Sequence, residues 1–365
     1  MFRNARFIKL SVRYSSTLTN QKVWVVTDGG IENTLQAMAL GKRLAGSNQL
    51  SENLKLKTIV SSKKLQMFPT IIQKYIVDCN KNTASGQNTV SACLHLSKVA
   101  KNSFSVYVGY PNIPFINFNQ VILPKYEANA KMAALGPLAK QKNGIITPAP
   151  LLDITPNVID HQKGYSAVIV GGHSRDCKWY SEDALLLADN VKRMVQRFGD
   201  EVTIVFTDRT PDLVKEKMSK RLEGQESIKI WDSTKEQETA EKIKNYEDII
   251  IHSQRVILTA DLDYATAHAI SKNKPVYLAF GAYCRSYLLH FYRWVIDNRL
   301  ARKLRIDKSN YKTANKVQDK YSYLGHHAPW GNAAQVFQVE NTMSFVENEI
   351  ISIRQELITG KRRRQ

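Results

Sequence analysis

The sequence predicts an α/β protein in which two units of parallel sheet face each other across a cleft. Three observations carry that expectation. Short β-rich apolar runs recur along the chain, tight turns containing Gly or Asp follow them, and helix-period segments come after the turns. Strands that alternate with helices in this way are joined by right-handed crossovers into parallel sheets. A breaker-rich join, Thr147-Pro148-Ala149-Pro150, divides the alternation into two runs.

The first unit opens on Lys22-Val23-Trp24-Val25-Val26-Thr27, a run suited to a buried parallel strand. Asp28-Gly29-Gly30 forms a turn, and Leu35, Met38, Ala39 and Leu44 recur at helical spacing from Ile31 to Ala45. Further strands are expected at Leu56–Val60, Phe104–Val108 and Gln120–Leu123, with a connection or loop from Cys79 to Asn88. In the second unit, Ser166–Val170 is a strand ended by Gly171-Gly172-His173-Ser174, with a helix from about Ser181 to Phe198. Glu201–Phe206 is the next strand. Thr207-Asp208-Arg209-Thr210-Pro211 leads into a helix, with Thr210 as its expected N-cap. Ile228–Trp231, Arg255–Leu258 and Pro275–Leu278 complete the strands, and one of the helices between them runs from about Asp263 to Ser271. The pattern reads as two Rossmann-like domains, 22–150 and 151–330. A C-terminal helix and basic tail follow at 331–365, with the stretch from Ala333 to Ile358 crossing back over the first domain.

Ligands of parallel α/β sheets bind at the carboxyl ends of strands, where helix N-termini present free N–H groups. Four loops fall at such ends. Gly29, Gly30 and Asn33 belong to the first, and Gly171, Gly172, His173, Ser174 and Arg175 to the second. Thr207, Arg209 and Thr210 belong to the third, and Thr259, Asp261 and Asp263 to the fourth. One Gly-bearing turn is more often structural than functional, because tight turns need Gly. Four polar loops at equivalent strand ends point instead to a cleft for an anionic ligand. A metal site is not expected: Asp261 and Asp263 lack a third ligand, and the adjacent His326 and His327 cannot converge on one ion. The aromatic run Tyr283, Tyr287, Phe291, Tyr292 and Trp294 admits an RNA-stacking reading, but an amphipathic helix with one face in the core explains it better.

The first 27 residues contain no Asp or Glu but carry Arg3, Arg6, Lys9, Arg13 and Lys22. Basic, Ser-rich, acid-free termini of this kind read as mitochondrial import signals. Residues 1–20 are therefore expected to be a presequence, processed near Ser15 or Ser16, that directs the chain to the matrix. The net charge of +19 fits an alkaline compartment or attraction to polyanions, with Lys361-Arg362-Arg363-Arg364 as the densest basic cluster. No apolar run is long enough for a membrane span. The four cysteines show no CxxC pair, which suggests neither a zinc knuckle nor a disulfide framework.

Taken in order, these motifs resemble the mitochondrial-fission "elongated mitochondria" (Elm-type) family and its bacterial relatives. The resemblance rests on Val23-Trp24-Val25-Val26-Thr27-Asp28-Gly29-Gly30, Asn33-Thr34-Leu35-Gln36-Ala37 and Val121-Ile122-Leu123-Pro124. It continues at Val168-Ile169-Val170-Gly171-Gly172, Thr207-Asp208-Arg209-Thr210-Pro211, Leu258-Thr259-Ala260-Asp261 and Lys274-Pro275-Val276-Tyr277. It implies two Rossmann-like domains similar to GT-B glycosyltransferases, with a nucleotide or nucleotide sugar between them. Gly171, Gly172, His173, Ser174, Thr207, Arg209, Thr210, Thr259 and Asp261 would then contact the ligand, and Gly29, Gly30 and Asn33 would close over it. The Gly pair would admit a diphosphate, Arg209 would neutralise it, and His173 is the one candidate general base.

The chain departs from the family pattern after Asp261. Leu262-Asp263-Tyr264-Ala265-Thr266-Ala267-His268-Ala269 stands where the family carries a Ser-rich stretch and a helix carboxylate. The family's Arg-Arg pair is here Asp208-Arg209. The expectation is a retained fold whose role is more non-catalytic than glycosyltransferase-like. The plant members of the family resemble outer-membrane adaptors that recruit a dynamin-related GTPase, a task that a matrix address disfavours. The partners expected instead are mitochondrial RNA or the mitochondrial ribosome.

Overall fold

The computed structural model describes residues 22–46, 50–59, 89–100, 103–133, 143–153, 165–306 and 330–359. The expected presequence, the 79–88 connection, His326-His327 and the basic tail lie outside these residues.

The six-stranded sheet of the second half is parallel throughout. Its strands are β6 (Tyr165–Val170), β7 (Glu201–Phe206), β8 (Ile228–Asp232), β9 (Arg255–Thr259), β10 (Val276–Ala279) and β11 (Arg302–Lys303). Read from β8, the order is β8-β7-β6-β9-β10-β11. The order reverses between β6 and β9, and the crevice beyond the carboxyl ends of the strands at such a switch point is where doubly wound sheets bind ligands. Ala167, Val168, Ile169 and Val170 of β6, with Val256, Ile257 and Leu258 of β9, are fully or almost fully buried, as expected of parallel strands covered on both faces.

The first half contains two smaller parallel sheets among the described residues. One pairs β1 (Val23–Thr27) with β2 (Leu54–Thr58), and the other is ordered β3 (Val106–Val108), β4 (Gln120–Pro124), β5 (Gly144–Thr147). The second strand begins two residues earlier than the apolar pattern indicates. Leu54 and Leu56 alternate with Lys55 and Lys57, so the half-buried face starts at Leu54. β5 was masked in the sequence by the proline-rich join that follows it directly.

The helices are α1 (Ile31–Ala45), α2 (Leu50–Asn53), α3 (Thr89–Val99), α4 (Lys125–Ala133), α5 (Ser181–Phe198), α6 (Asp212–Leu222), α7 (Thr239–His252), α8 (Asp263–Ser271), α9 (Ser286–Asp297), α10 (Ala333–Phe337) and α11 (Val339–Thr359). α1 is shared between two cores. Its first turns bury Ile31 and Leu35 in the large core built on the six-stranded sheet. Its later turns bury Ala39 and Leu40 beside Ile122, Ile145, Met343, Val346 and Ile350. The last three residues belong to α11, so the C-terminal helix packs back on the first half as the pattern indicates. Arg43 of α1 secures it with ion pairs to Glu340 at 2.8 Å and Glu347 at 2.7 Å. From Tyr287 to Trp294 the aromatic run folds in the amphipathic helix α9, which buries Leu288, Phe291, Tyr292 and Val295, while Tyr283 lies in the short 3-10 turn before it. Tyr126 of α4 packs against the Phe291 ring, with ring centroids 4.9 Å apart.

Candidate functional site

The four polar strand-end loops meet at the switch point, and α1 brings the first of them there. Asp261, at the end of β9, is the hub. Its side chain is wholly buried. Oδ1 accepts the indole N–H of Trp179 at 2.8 Å, and Oδ2 accepts the backbone N–H of Gly172 at 3.0 Å. The Arg209 guanidinium reaches the same carboxylate at 3.5 Å and also donates to the Asp261 carbonyl at 3.0 Å. Thr259, two residues earlier, accepts the N–H of Gly171 at 2.9 Å. The two glycines are required by proximity. A Cβ on Gly171 would overlap the Asp261 carboxylate, and one on Gly172 would overlap the Arg209 carbonyl oxygen.

Glu32, in the first turn of α1, crosses to this hub. One carboxylate oxygen accepts from Arg209 at 3.0 Å, and the other accepts the N–H of Ala265 in the first turn of α8 at 2.9 Å. Asp208 makes the reciprocal contact, its carboxylate accepting the N–H of Ile31 at the start of α1 at 3.2 Å. Each helix start thus receives a carboxylate from the opposite side of the cleft, where a helix dipole favours negative charge. Burial raises the Glu32 pKa to about 7, against the lowering pull of Arg209, and the nearby Asp263 raises it further. Burial opposes the charge on Arg209, but Asp261 and Glu32 outweigh it and hold its pKa above the usual value.

The other expected residues divide by role. Gly29 adopts φ +84°, a conformation that favours glycine, and its carbonyl accepts from the buried Lys242 amine at 3.1 Å. Gly30 is the N-cap of α1, its N–H donating to Asp28 at 3.1 Å. Asn33 is exposed and donates to the same Asp28 carboxylate at 3.3 Å, away from Asp261. Thr207 and Thr210 both donate to the Val170 carbonyl, at 3.0 Å and 2.6 Å. Thr210 therefore ties the β6 and β7 ends together rather than capping a helix, and α6 starts at Asp212 with Pro211 at its N-cap. Ser174 shapes its own loop by accepting the N–H of Cys177 at 3.1 Å. His173 is exposed, with its ring beside that of Tyr180 at 5.9 Å between centroids.

Glu32, Trp179 and Asp208 are the site residues that sequence reasoning passed over. Glu32 and Asp208 were visible as acids flanking turn glycines and Arg209, but only the fold shows them reaching across the cleft. Asp263 also has a separate task, accepting the Tyr126 hydroxyl at 2.9 Å. Among the described residues, no group of three His, Cys, Asp or Glu could hold a metal ion, and no helix is long and apolar enough to cross a membrane.

Parallel sheets with a ligand-type switch point facing a second α/β half define a GT-B-like protein. A solved structure agrees on the fold. A Listeria monocytogenes protein described as a "putative UDP-N-acetylglucosamine 2-epimerase" superposes with a TM-score of 0.50 at 12% identity, over 94% of this chain and 98% of that one. The Staphylococcus aureus MnaA–UDP co-structure covers 90% of this chain and 97% of its own, at 12% identity and a TM-score of 0.47. The chain belongs to the family described as "Mitochondrial fission ELM1", whose pattern matches residues 30–323. A Rickettsia prowazekii protein, "Uncharacterized protein RP120", is 23% identical over 81% of this chain and 95% of its own length.

Proposed function

We propose that this chain is a non-catalytic member of its family, a binding factor of the mitochondrial matrix that acts through its basic surface in organelle gene expression. The observation that carries the reading is the occupancy of the cleft. The Gly172 amide, the first turns of α1 and α8, and the Arg209 guanidinium are the groups suited to a diphosphate, and each is engaged by Asp261, Asp208 or Glu32. A nucleotide would have to displace three carboxylates that already satisfy these donors. The acid-free N-terminus supports the matrix address, and the +19 charge supports a polyanionic partner such as mitochondrial RNA or the mitochondrial ribosome. Domain limits of 22–150 and 151–330, with 331–365 as the returning helix and tail, belong to the same reading.

Thermal-shift measurements with nucleotides and nucleotide sugars test the cleft. A ligand at 100 times its Kd stabilises a protein by about 2.7 kcal/mol, so the expected result is no shift with any of them. Sedimentation of gently lysed mitochondria tests the partner: association with RNA-containing particles at low salt and release at high salt are expected. N-terminal sequencing of protein from purified organelles tests the address. An unprocessed, protease-sensitive protein would overturn the matrix reading and favour a fission adaptor that recruits a dynamin-related GTPase.

The second reading is a nucleotide-sugar-dependent, glycosyltransferase-like enzyme. The position of Asp261, Gly171 and Gly172 at the switch point of β6 and β9 favours it. Turnover of a nucleotide sugar, lost on replacing Arg209, would establish it over the first.

A further inference from the structure

Two of the cysteines that looked scattered in the sequence are neighbours in the fold. Cys177 and Cys284, 107 positions apart, face each other as an antiparallel bridge between the loop after β6 and the loop after β10. Their Sγ atoms are 3.4 Å apart. The N–H of Arg285 donates to the Asp176 carbonyl at 2.7 Å, and that of Lys178 to the Tyr283 carbonyl at 3.4 Å. Bonds on either side of a facing pair mark the non-hydrogen-bonded type of antiparallel pair, whose Cα atoms lie about 4.5 Å apart. That spacing falls inside the range of roughly 4.4–6.8 Å that a disulfide accepts. The backbone is therefore already placed for a covalent link, and small side-chain rotations complete the approach.

We propose that Cys177 and Cys284 are a reversible dithiol–disulfide pair that fixes the floor of the cleft. The two loops they would join flank Asp261. The first carries Gly172 and Trp179, both bonded to the Asp261 carboxylate, and Cys284 Sγ in the second lies 3.5 Å from the carbonyl of Ala260. The oxidant is a hydroperoxide. Cys284 retains 4% exposure while Cys177 has none, so Cys284 meets the oxidant first. Its thiolate sulfur attacks one peroxide oxygen, the O–O bond breaks, and the leaving hydroxide takes a proton to become water. The Cys177 sulfur, having given up its proton, then attacks the Cys284 sulfenic acid. The S–O bond breaks and a second water leaves. Two thiols and one hydrogen peroxide thus give one disulfide and two waters, and an external dithiol reverses the change. The hydrogen bond with Cys284, together with burial, pushes the Cys177 thiol up, which disfavours it as the first nucleophile. Cys93 lies in a different core, on α3, and burial pushes its thiol up to about 11.

The test uses the full chain, reduced and desalted, then treated with graded hydrogen peroxide. After denaturation, free thiols are alkylated and the peptides are mapped without reduction. The expected result is a crosslinked pair carrying Cys177 and Cys284, with two of the four cysteines withdrawn from labelling. A melting temperature raised by oxidation and restored by dithiothreitol is expected alongside. Cys177→Ser should abolish both the crosslink and the shift. Because that variant could misfold, peptide mapping and melting of the unsubstituted chain stand as a separate decision. Sulfinic acid without a crosslink, pairing through Cys93, or a crosslink that leaves the melting temperature unchanged would overturn the proposal.

Discussion

Glu32→Gln is the most informative single change, because Glu32 is the residue of α1 that binds both Arg209 and α8 across the cleft. Its native pKa of about 7 lies above the usual 4.5. The folded state therefore holds the carboxyl proton more tightly than the unfolded chain does. Stability from this site is full below about pH 4.5 and is lost as the pH rises through about 7. At pH 6 the native carboxyl is largely protonated, which contributes on the order of 1 kcal/mol, and by pH 8 that contribution is almost gone. Glutamine cannot ionise, yet it keeps an oxygen for the Ala265 N–H. The difference in unfolding free energy between the wild type and the Gln variant should accordingly change by on the order of 1 kcal/mol between pH 6 and pH 8, with the wild type relatively more stable at pH 6. Urea unfolding of both proteins across that window measures it, and histidine titrations cancel in the subtraction. A difference that stays flat would refute the claim that burial, rather than the Arg209 pair, dominates this carboxylate.

Three further changes probe the same hub. Trp179→Phe keeps the stacking on Phe280, with centroids 5.2 Å apart, but removes a donor from the buried Asp261. A loss of about 2 kcal/mol is expected in urea unfolding. Gly172→Ala drives a methyl group into the Arg209 carbonyl, so the loops after β6 and β7 must separate. About 3 kcal/mol of destabilisation is expected, seen as an early thermal melt. Asp208→Ala removes the acceptor for the Ile31 N–H at the start of α1 and should cost about 1 kcal/mol, measured by the same melts.

What the sequence makes legible here follows the range of the interactions involved. Parallel strands covered on both faces are continuous apolar runs, so Glu201–Phe206 could be read directly, as could the long helices Ile31–Ala45 and Ser181–Phe198. The alternation of strands and turns also located the strand ends that carry Gly171, Thr207 and Thr259. Strand order was not legible. Periodicity says that β6 and β9 are buried but not that they are neighbours, and the switch point between them is what gives Asp261 its place. Contacts that join distant positions stayed hidden for the same reason. Glu32 and Ala265 are 233 residues apart, and nothing local to either foretells their hydrogen bond. The resemblance also implied that Arg209 would neutralise a diphosphate in the cleft. It does face anions, but they are Glu32 and Asp261 of the same chain. Gly172, Arg209 and Asp261, three of the residues expected at a ligand, make contacts that hold this protein's own cleft together. A cation at a strand end therefore predicts an acidic neighbour, while the fold determines whether that neighbour is a ligand or a side chain.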